Sequence, residues 1–303
     1  MRKFIIQLLV FSILFFSMAY GVFCLADGDA DHYYARFATP VQSSLILGTS
    51  KAAQGLQPAI INEVLGRKDI YNYSFTLPHS SFGPAYLNSI KKKVNPKTKN
   101  GVFIITVDPF SVSAKLENLN DSSNFRENGR FISIENVTSK PNLSYLLHHY
   151  PHQYIYLLTH KLDYVHNDYL HDDGWAEINL PMNEDIVKTR TQAKIEEYAK
   201  NRNQFDFSKV RFAYLEKTIK FLQQHGKVYL VRLPVLTPLW ELEDMTVPDF
   251  ENKMTYLSEK FQIEYLKMDK SRDSLVYFDG YHLYKTSGKH VSKELGDWIK
   301  EME

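Results

Sequence analysis

Three residues from opposite ends of the chain are of the types that transfer acyl groups through a serine nucleophile. Ser50 follows a short apolar run near the start, and Asp279 and His282 lie three residues apart on an Asp-Gly turn near the end. A serine hydroxyl becomes a good nucleophile when a base removes its proton, and histidine is such a base at neutral pH. A carboxylate beside the ring fixes its tautomer and stabilises the imidazolium. The spacing predicts that Asp279 orients His282 toward Ser50.

Each of these residues also has a common structural use. Serines cap helices, Asp-Gly pairs form turns, and single histidines occur in cores without any catalytic role. The catalytic interpretation therefore depends on the elements that bring all three residues to one place.

Short apolar runs alternate with segments of helical spacing, which predicts a mostly parallel sheet covered by helices on both faces. Ligands bind such sheets at the carboxyl ends of the strands. Ser50 follows the first predicted strand, and Asp279 and His282 follow the last, so all three are expected at one edge. The predicted strands are 43–48, 69–75, 101–107, 227–234 and 274–280, and the predicted helices are 51–66, 80–94, 207–226, 255–262 and 286–302.

The segment between about residues 110 and 205 interrupts this alternation. It is polar and rich in Asn, His and Tyr, and it contains one apolar helix candidate at 154–165. We predict that it is an insertion at the carboxyl edge of the sheet, within a domain that spans residues 43–303.

The first 26 residues predict export from the cytoplasm. They contain about 20 nearly uncharged residues, enough to span a bilayer, behind Arg2 and Lys3, which favour a cytoplasmic amino terminus. A membrane anchor is favoured, and a cleaved signal peptide is the alternative. Residues 27–42 are predicted to be a polar stalk that packs onto the domain. The single cysteine, Cys24, lies in the apolar segment, so the exported part has no disulfide.

The composition limits the classes of function. With 44% hydrophobic and 23% charged residues the chain has enough apolar material for a packed core, and a formal net charge of +1 gives no overall basic field for nucleic acid. The histidines at 148, 149 and 152 lack the spacing with a carboxylate that zinc sites of the protease kind need. No metal and no cofactor is predicted.

The two motifs together resemble the SGNH, or GDSL-type, hydrolase superfamily over roughly residues 43–110 and 207–303. The run Gly-Thr-Ser ending at Ser50 is similar to the family's Gly-Asp-Ser, and Asp279 and His282 match its Asp-x-x-His. The resemblance implies a three-layer α/β/α sandwich with a flavodoxin-like five-stranded sheet, and a triad of Ser50, His282 and Asp279. It is closest in pattern to the membrane-anchored envelope branch, whose members often act with membrane-bound O-acyltransferases on surface glycans.

The residues that would stabilise an oxyanion depart from the family's pattern. Leu77 stands where the family has a glycine, although its backbone N–H is retained. Asp108 stands nearest the place of the family's asparagine. An ionised aspartate cannot donate a hydrogen bond, so a structural role is the alternative for Asp108, with Ser111 taking part instead. The resemblance implies that Ser50, Leu77 and the Asp108 position surround the oxyanion. Asn72 and Ser111 are predicted beside them, at the substrate.

Two further residues are candidates for binding substrate. Arg232 ends the fourth predicted strand at the same edge, where it would either bind an anionic sugar or order the loop that follows. Trp240 lies on that loop and would stack on a sugar ring.

Two hypotheses of different class follow. The first is an extracytoplasmic serine acyl-esterase or O-acyltransferase that acts on acyl groups, acetyl by the resemblance, of a cell-envelope glycan. The second is a catalytically weak protein of the same fold that binds glycan or partners a membrane-bound O-acyltransferase. The intact triad types favour the first hypothesis, and the altered oxyanion positions favour the second.

Overall fold

Five parallel strands form the central sheet of the computed structural model, which describes residues 1–162, 168–269 and 272–302. The sheet strands and the four strands outside the sheet are, in chain order, β1 (Ser44–Leu47), β2 (Ile70–Asn72), β3 (Gly101–Thr106), β4 (Ser113–Lys115), β5 (Asp168–Leu170), β6 (Ala176–Ile178), β7 (Phe205–Phe207), β8 (Gly226–Arg232) and β9 (Glu264–Lys267).

Helices account for most of the remaining regular structure. The α-helices are α1 (Arg2–Phe23), α2 (Tyr34–Ala38), α3 (Ser50–Gly55), α4 (Pro58–Leu65), α5 (Leu77–Ser80), α6 (Pro84–Lys93), α7 (Leu143–His148), α8 (Tyr156–Thr159), α9 (Glu184–Arg202), α10 (Lys209–Leu222), α11 (Thr237–Thr246), α12 (Phe250–Phe261) and α13 (Lys285–Met302). The 3₁₀ helices are Pro109–Val112, Leu116–Asn118, Ser122–Asn124, Phe131–Ser133, His160–Leu162 and Arg272–Ser274.

The sheet has the strand order β2-β1-β3-β8-β9, and every neighbouring pair is parallel. This order is that of flavodoxin-like folds, in which the direction of winding reverses between the first and third strands. The predicted α/β fold with a mostly parallel five-stranded sheet is therefore confirmed. The two short antiparallel pairs, β4 with β7 and β5 with β6, lie outside this sheet.

Alternate residues along the strands feed two separate apolar clusters, one on each face of the sheet. On one face the side chains of Phe103 and Leu230 join those of α6, α10 and α12. On the other face Ile104 joins α3, α4 and α13. Because β3 is covered on both sides, it is a continuous apolar run with no polar alternation.

The fifth strand of the sheet is not the predicted one. The strand is Glu264–Lys267, which pairs with β8, whereas the segment 274–280 makes only an isolated antiparallel bridge between Tyr277 and Leu283. The prediction at 274–280 was wrong because that apolar stretch packs as a loop over the second cluster. The true edge strand has exposed charged ends and lacks an apolar run.

The region between residues 110 and 205 holds both antiparallel pairs and α9. Its predicted apolar helix at 154–165 is reduced to α8 and the 3₁₀ turn His160–Leu162, and residues 163–165 lie outside the described residues. The 19-residue helix α9 was not predicted, because only one of its residues is buried and no apolar stripe marks it.

The amino-terminal helix α1 spans 22 residues with a mean hydropathy of 2.1 and none of its apolar window buried. By length and composition it is able to cross a membrane, a test that a signal sequence also passes. Beyond it, residues 27–42 include α2, whose Tyr34 and Phe37 are buried in the first cluster. The segment predicted as a stalk thus contributes side chains to the core.

Candidate active site

Ser50 is placed by a sharp change of direction at the carboxyl end of β1. The strand ends at Leu47, and Gly48 has a φ of +150°. A Cβ atom at Gly48 would lie 1.8 Å from the Thr106 hydroxyl on neighbouring β3, so only glycine fits. Helix α3 then begins at Ser50 itself, beside the point where the strand order reverses. The serine hydroxyl is therefore displayed where ligands bind in sheets of this order.

Asp279 and His282 lie in a tight loop that backbone hydrogen bonds fix from both sides. The Phe278 N–H donates to the His282 carbonyl at 3.2 Å, and the Leu236 N–H donates to the Gly280 carbonyl at 2.9 Å. Gly280 has a φ of +77°, a left-handed conformation that glycine adopts without strain. The loop leads directly into α13, which anchors it on the second cluster.

The three residues form a continuous chain of hydrogen bonds. His282 Nε2 lies 2.8 Å from Ser50 Oγ, and His282 Nδ1 lies 2.8 Å from Asp279 Oδ2. The other oxygen of Asp279 accepts from the backbone N–H groups of Tyr281 at 3.0 Å and His282 at 2.8 Å. The carboxylate is thereby held by the backbone of its own turn, and the structure brings the three predicted residues together.

The charge state of Asp279 follows from its contacts. Burial raises the pKa of Asp279, but the positive charge of His282 and hydrogen bonds from its ring and from the backbone outweigh that effect, and the pKa is about 2. A carboxylate that stays ionised accepts the proton on Nδ1, so Nε2 carries the lone pair that faces the Ser50 hydroxyl. This is the tautomer that general-base catalysis needs.

Aromatic rings enclose the imidazole. Phe278 stacks on His282 with ring centroids 5.3 Å apart, and Tyr281 meets it edge-on at 5.1 Å. His282 is 9% exposed, whereas Ser50 is partly exposed. The base is therefore held in one orientation while the nucleophile remains reachable from solvent.

A buried network of charges lies directly behind the serine. Lys51 Nζ is 2.7 Å from Glu243 Oε1 and 3.2 Å from Asp108 Oδ2. Glu243 also pairs with Arg232 at 3.2 Å. The Lys51 ammonium lies 4.8 Å from the centre of the Tyr281 ring, beside His282. The first turn of α3 is thus tied to the loop after β3, to α11 and to the triad loop.

The loop after β2 is joined to the serine turn by its backbone. The Phe75 N–H donates to the Gly48 carbonyl at 3.2 Å. The Tyr86 hydroxyl donates to the Tyr73 carbonyl, in the same loop, at 2.8 Å. Leu77 is the first residue of α5 and is partly exposed. The first N–H groups of a helix have no intrahelical acceptor, so this amide is of the type that stabilises an oxyanion.

Asp108 has the structural role that was its alternative, and neither Asp108 nor Ser111 contributes a side-chain donor to the site. Both side chains are buried and bonded to each other's backbone: Asp108 Oδ1 accepts from the Ser111 N–H at 2.8 Å, and the Ser111 hydroxyl donates to the Asp108 carbonyl at 2.6 Å. The remaining oxygen of Asp108 pairs with Lys51. Both residues therefore shape the turn after β3, and neither offers a donor to an oxyanion.

Asn72 is likewise structural. Its side chain is fully buried, and its amide donates to the carbonyls of Ala52 at 2.8 Å and Leu56 at 3.0 Å, at the end of α3. Its side-chain oxygen accepts from the Ser74 N–H at 3.2 Å. With these bonds made, Asn72 fastens β2 to α3, and the prediction that it binds substrate is corrected.

Arg232 and Trp240 face the interior. Arg232 is 0% exposed and Trp240 is 4% exposed, with the guanidinium 3.6 Å from the centre of the indole ring. Arg232 pairs with Glu243, with Asp244 at 2.8 Å and with Glu251 at 2.6 Å. Of the two alternatives from the sequence, the ordering of the following loop fits Arg232, and the predicted sugar stacking by Trp240 is corrected.

Sequence reasoning missed the network around Lys51 and Glu243. A lysine directly after the serine, among small residues at the start of a helix, was the available signal. Glu243 gave none, because its burial depends on how α11 packs. Across the described ranges, the structure contains no cluster of His, Cys, Asp and Glu able to hold a metal ion.

Comparisons with known proteins add little to this picture. No protein-family model matches the sequence, and no curated protein matches it either. Among solved structures, an acetyl xylan esterase, Est2A, from the rumen bacterium Butyrivibrio proteoclasticus is similar at 10% sequence identity and a TM-score of 0.33, over 87% of this chain and 65% of the esterase chain. A likeness of that degree does not identify an activity.

Proposed function

We propose that this chain is an extracytoplasmic serine acyl-esterase or O-acyltransferase, of the SGNH kind that its motifs resemble. The observation that carries the proposal is the unbroken hydrogen-bonded chain from Ser50 Oγ through the imidazole of His282 to the carboxylate of Asp279, with both links at 2.8 Å. That separation is within the reach that nucleophile and general base need for proton transfer.

The geometry supports a two-step acyl transfer. Ser50 Oγ attacks the acyl carbonyl carbon while His282 Nε2 takes the hydroxyl proton, and Asp279 stabilises the resulting imidazolium. The tetrahedral intermediate then expels the alcohol of the ester, which takes the proton from His282, and an acyl-serine remains. Water or a sugar hydroxyl attacks this acyl-serine in the same manner, with His282 again acting as base, and Ser50 is regenerated.

Backbone N–H groups are the donors proposed for the oxyanion. Ser50 and Leu77 each begin a helix, so their amides are free of intrahelical acceptors. No side-chain donor from the turn after β3 is proposed, because Asp108 and Ser111 are bonded to each other. Loss of one oxyanion donor costs on the order of 100- to 1000-fold in rate. We therefore expect slow turnover of simple esters, and an acceptor or substrate that contributes binding energy of its own.

The substrate class is proposed from the anchor and the resemblance. An apolar helix ahead of the domain favours a site outside the cytoplasm and close to the membrane, where acylated envelope glycans occur. Acetyl is the acyl group that the resemblance suggests. A membrane-bound O-acyltransferase would be the partner if the enzyme transfers the acyl group to a sugar.

Labelling with a fluorophosphonate probe tests the nucleophile. We expect wild-type protein to be labelled and to release p-nitrophenol from p-nitrophenyl acetate, and Ser50→Ala to lose both properties. Removing one partly exposed hydroxyl costs about 1 kcal/mol at most, so the melting temperature should change by no more than about 3 °C. The matched control is Ser123→Ala, an exposed serine in the insertion, which should be labelled like wild type.

The same assay separates the alternatives. A folded wild-type protein that is neither labelled nor active on the ester would reject the enzyme and leave the binding hypothesis, which the occupied Asp108 and Ser111 side chains favour. If labelling survives in Ser50→Ala, another serine is the nucleophile. Release of acetate without a sugar would indicate an esterase, and acetate transfer only when a glycan is present would indicate an acyltransferase.

A further inference from the structure

Exposed apolar side chains are concentrated on one part of the insertion. Leu147 is 56% exposed, Ile155 58%, Leu158 50% and Leu162 71%, and we refer to these four residues as the apolar patch. Leu147 lies on α7, Ile155 directly precedes α8, Leu158 lies on α8, and Leu162 lies on the 3₁₀ turn that continues it. Contiguous exposed apolar surface of this kind marks an interaction site in soluble domains.

Three of the four residues of the apolar patch lie on one side of a short helical segment whose other side belongs to the core. Ile155, Leu158 and Leu162 follow each other at spacings of three and four, so they lie along one stripe. Leu157, on the opposite side, is 1% exposed and part of the first apolar cluster. The segment is therefore anchored in the domain and presents its stripe outward in a fixed orientation.

The apolar patch lies beside the carboxyl end of α1. The ring of Phe23, the last residue of α1, contacts that of Tyr154 with centroids 5.1 Å apart. Directly after α1, the carboxylate of Asp27 is 3.1 Å from His160 and 3.3 Å from Lys161. These contacts fix the segment that carries the patch to the point where α1 leaves the membrane.

We propose that the apolar patch docks onto the outer surface of the bilayer in which α1 is anchored, with its side chains among the lipid acyl chains near the headgroups. The surface of α1 is apolar and exposed along its length. The apolar patch lies next to this surface at Phe23, so one bilayer would cover both. Tyr154, which is 41% exposed, and exposed Lys161 flank the patch, and such residues favour the headgroup layer.

Docking at two points has a consequence that a single helix lacks. One helix leaves the domain free to rotate about the membrane normal and to tilt, whereas a second contact beside it fixes the tilt. The domain would then hold Ser50 at one height above the bilayer. This inference rests on the proposed membrane anchoring by α1, and it is independent of the chemistry proposed for the triad.

Fluorescence quenching by lipids tests the docking in the full chain. Cys24 is the only cysteine, so an environment-sensitive fluorophore such as NBD attached to it reports the end of α1 in the wild-type protein. A Cys24→Ser background then carries Leu158→Cys in the apolar patch or, as the matched control, Glu294→Cys on α13. Glu294 is exposed, and α13 packs on the opposite face of the sheet. The vesicles are phosphatidylcholine containing lipids spin-labelled near the headgroup.

We expect labels at positions 24 and 158 to be blue-shifted and quenched at least 2-fold, and the label at 294 to be unchanged. Quenching at 24 without quenching at 158 would overturn the proposal and leave the anchor intact. A blue-shifted label at 158 that lipid quenchers do not reach would mean that protein covers the patch, which also overturns it. Absence of quenching at both positions rejects anchor and patch together.

Two controls keep these outcomes interpretable. Leu162→Cys repeats the measurement at the most exposed residue of the apolar patch, in case a label at position 158 disturbs the fold. Fluorophosphonate labelling of Ser50 in the same vesicles reports the triad separately, so failure of docking and failure of the proposed chemistry are distinguishable.

Discussion

Replacement of Lys51 by methionine is the sharpest test of how the nucleophile is held. Lys51, Asp108 and Glu243 are 4%, 1% and 0% exposed, so their charges are shielded from water. Without the ammonium, Glu243 keeps Arg232 at 3.2 Å. Within the described part of the chain, Asp108 keeps no cation and would be a buried unpaired charge. Breaking a buried pair from one side costs about 3–5 kcal/mol, and we expect a loss of that size for Lys51→Met.

The double variant separates the energetic cost of losing the Lys51–Asp108 ion pair from the cost of changed side-chain packing. In Lys51→Met with Asp108→Asn the stranded charge is gone, and the asparagine oxygen still accepts from the Ser111 N–H. We expect the double variant to be more stable than Lys51→Met alone, with a coupling energy of about 2–3 kcal/mol. Lys293→Met is the control, because Lys293 pairs with Asp297 at an exposed site and should cost less than about 1 kcal/mol.

Urea unfolding of the detergent-solubilised full chain, followed by tryptophan fluorescence, measures these differences. All three tryptophans lie outside α1, so the signal reports the domain alone. The rate of fluorophosphonate labelling, corrected for the folded fraction, then reports the position of Ser50, and we expect it to fall in Lys51→Met. If Lys51→Met costs under 1 kcal/mol and the two substitutions are additive, the network does not support the serine turn.

Three further predictions concern single residues. Asp279 has a pKa of about 2 in the fold against 3.8 in the unfolded chain, so its contribution of about 2 kcal/mol to unfolding free energy is present above pH 4 and is lost as the pH falls toward 2. The gap in urea stability between wild type and Asp279→Asn should close over that range. At neutral pH, ester turnover by Asp279→Asn should fall roughly 10⁴-fold, since the wrong His282 tautomer would face the serine. Gly48→Ala should lower the melting temperature by at least about 4 °C on the basis of at least about 2 kcal/mol of strain. Thr106→Ala should recover part of this loss by removing the hydroxyl 1.8 Å from the new Cβ. Arg232→Gln should destabilise the domain by about 3 kcal/mol. In the folded fraction, KM for p-nitrophenyl acetate should stay within 2-fold of wild type. A large increase in KM would indicate that Arg232 binds substrate after all.

The parts of the fold that were predictable are those with a strong local signal. Strands β1, β3 and β8 are apolar runs long enough to be buried on both faces, and Gly66 ends α4 in a left-handed conformation as its sequence position suggests. The edge strand β9 was missed because its polar ends suit solvent. Helix α9 was missed because it has almost no apolar stripe of its own, and tertiary contacts hold it in place.

Whether a site residue could be predicted depends on how deeply its side chain is buried. Residue type and order along the chain located Ser50, Asp279 and His282. The parallel sheet explains the position of Ser50, at the carboxyl end of β1. Asp279 and His282 reach the same edge on the loop before α13, and the strand predicted to carry them there is absent from the sheet. The same reasoning placed Asn72, Arg232 and Trp240 at that edge but left their direction open. A polar residue at a strand end faces either the ligand or the loops beneath it, and only packing decides which.

Two different parts of the structure hold Ser50 and His282 in position, and the insertion contributes to the second. The sheet fixes Ser50 through Gly48, whereas the loop of His282 rests on side chains from elsewhere. The ring of Tyr198 on α9 lies 4.5 Å from that of Tyr281, and a Cβ on Gly280 would lie 2.9 Å from the methyl group of Thr191. Because α9 comes from the insertion, that segment is part of the wall behind the base. A shift of α9 would move Tyr281, and through it His282, without moving Ser50. The distance between nucleophile and base therefore depends on the insertion, a region that the alternation of strands and helices in the sequence marks only as an interruption.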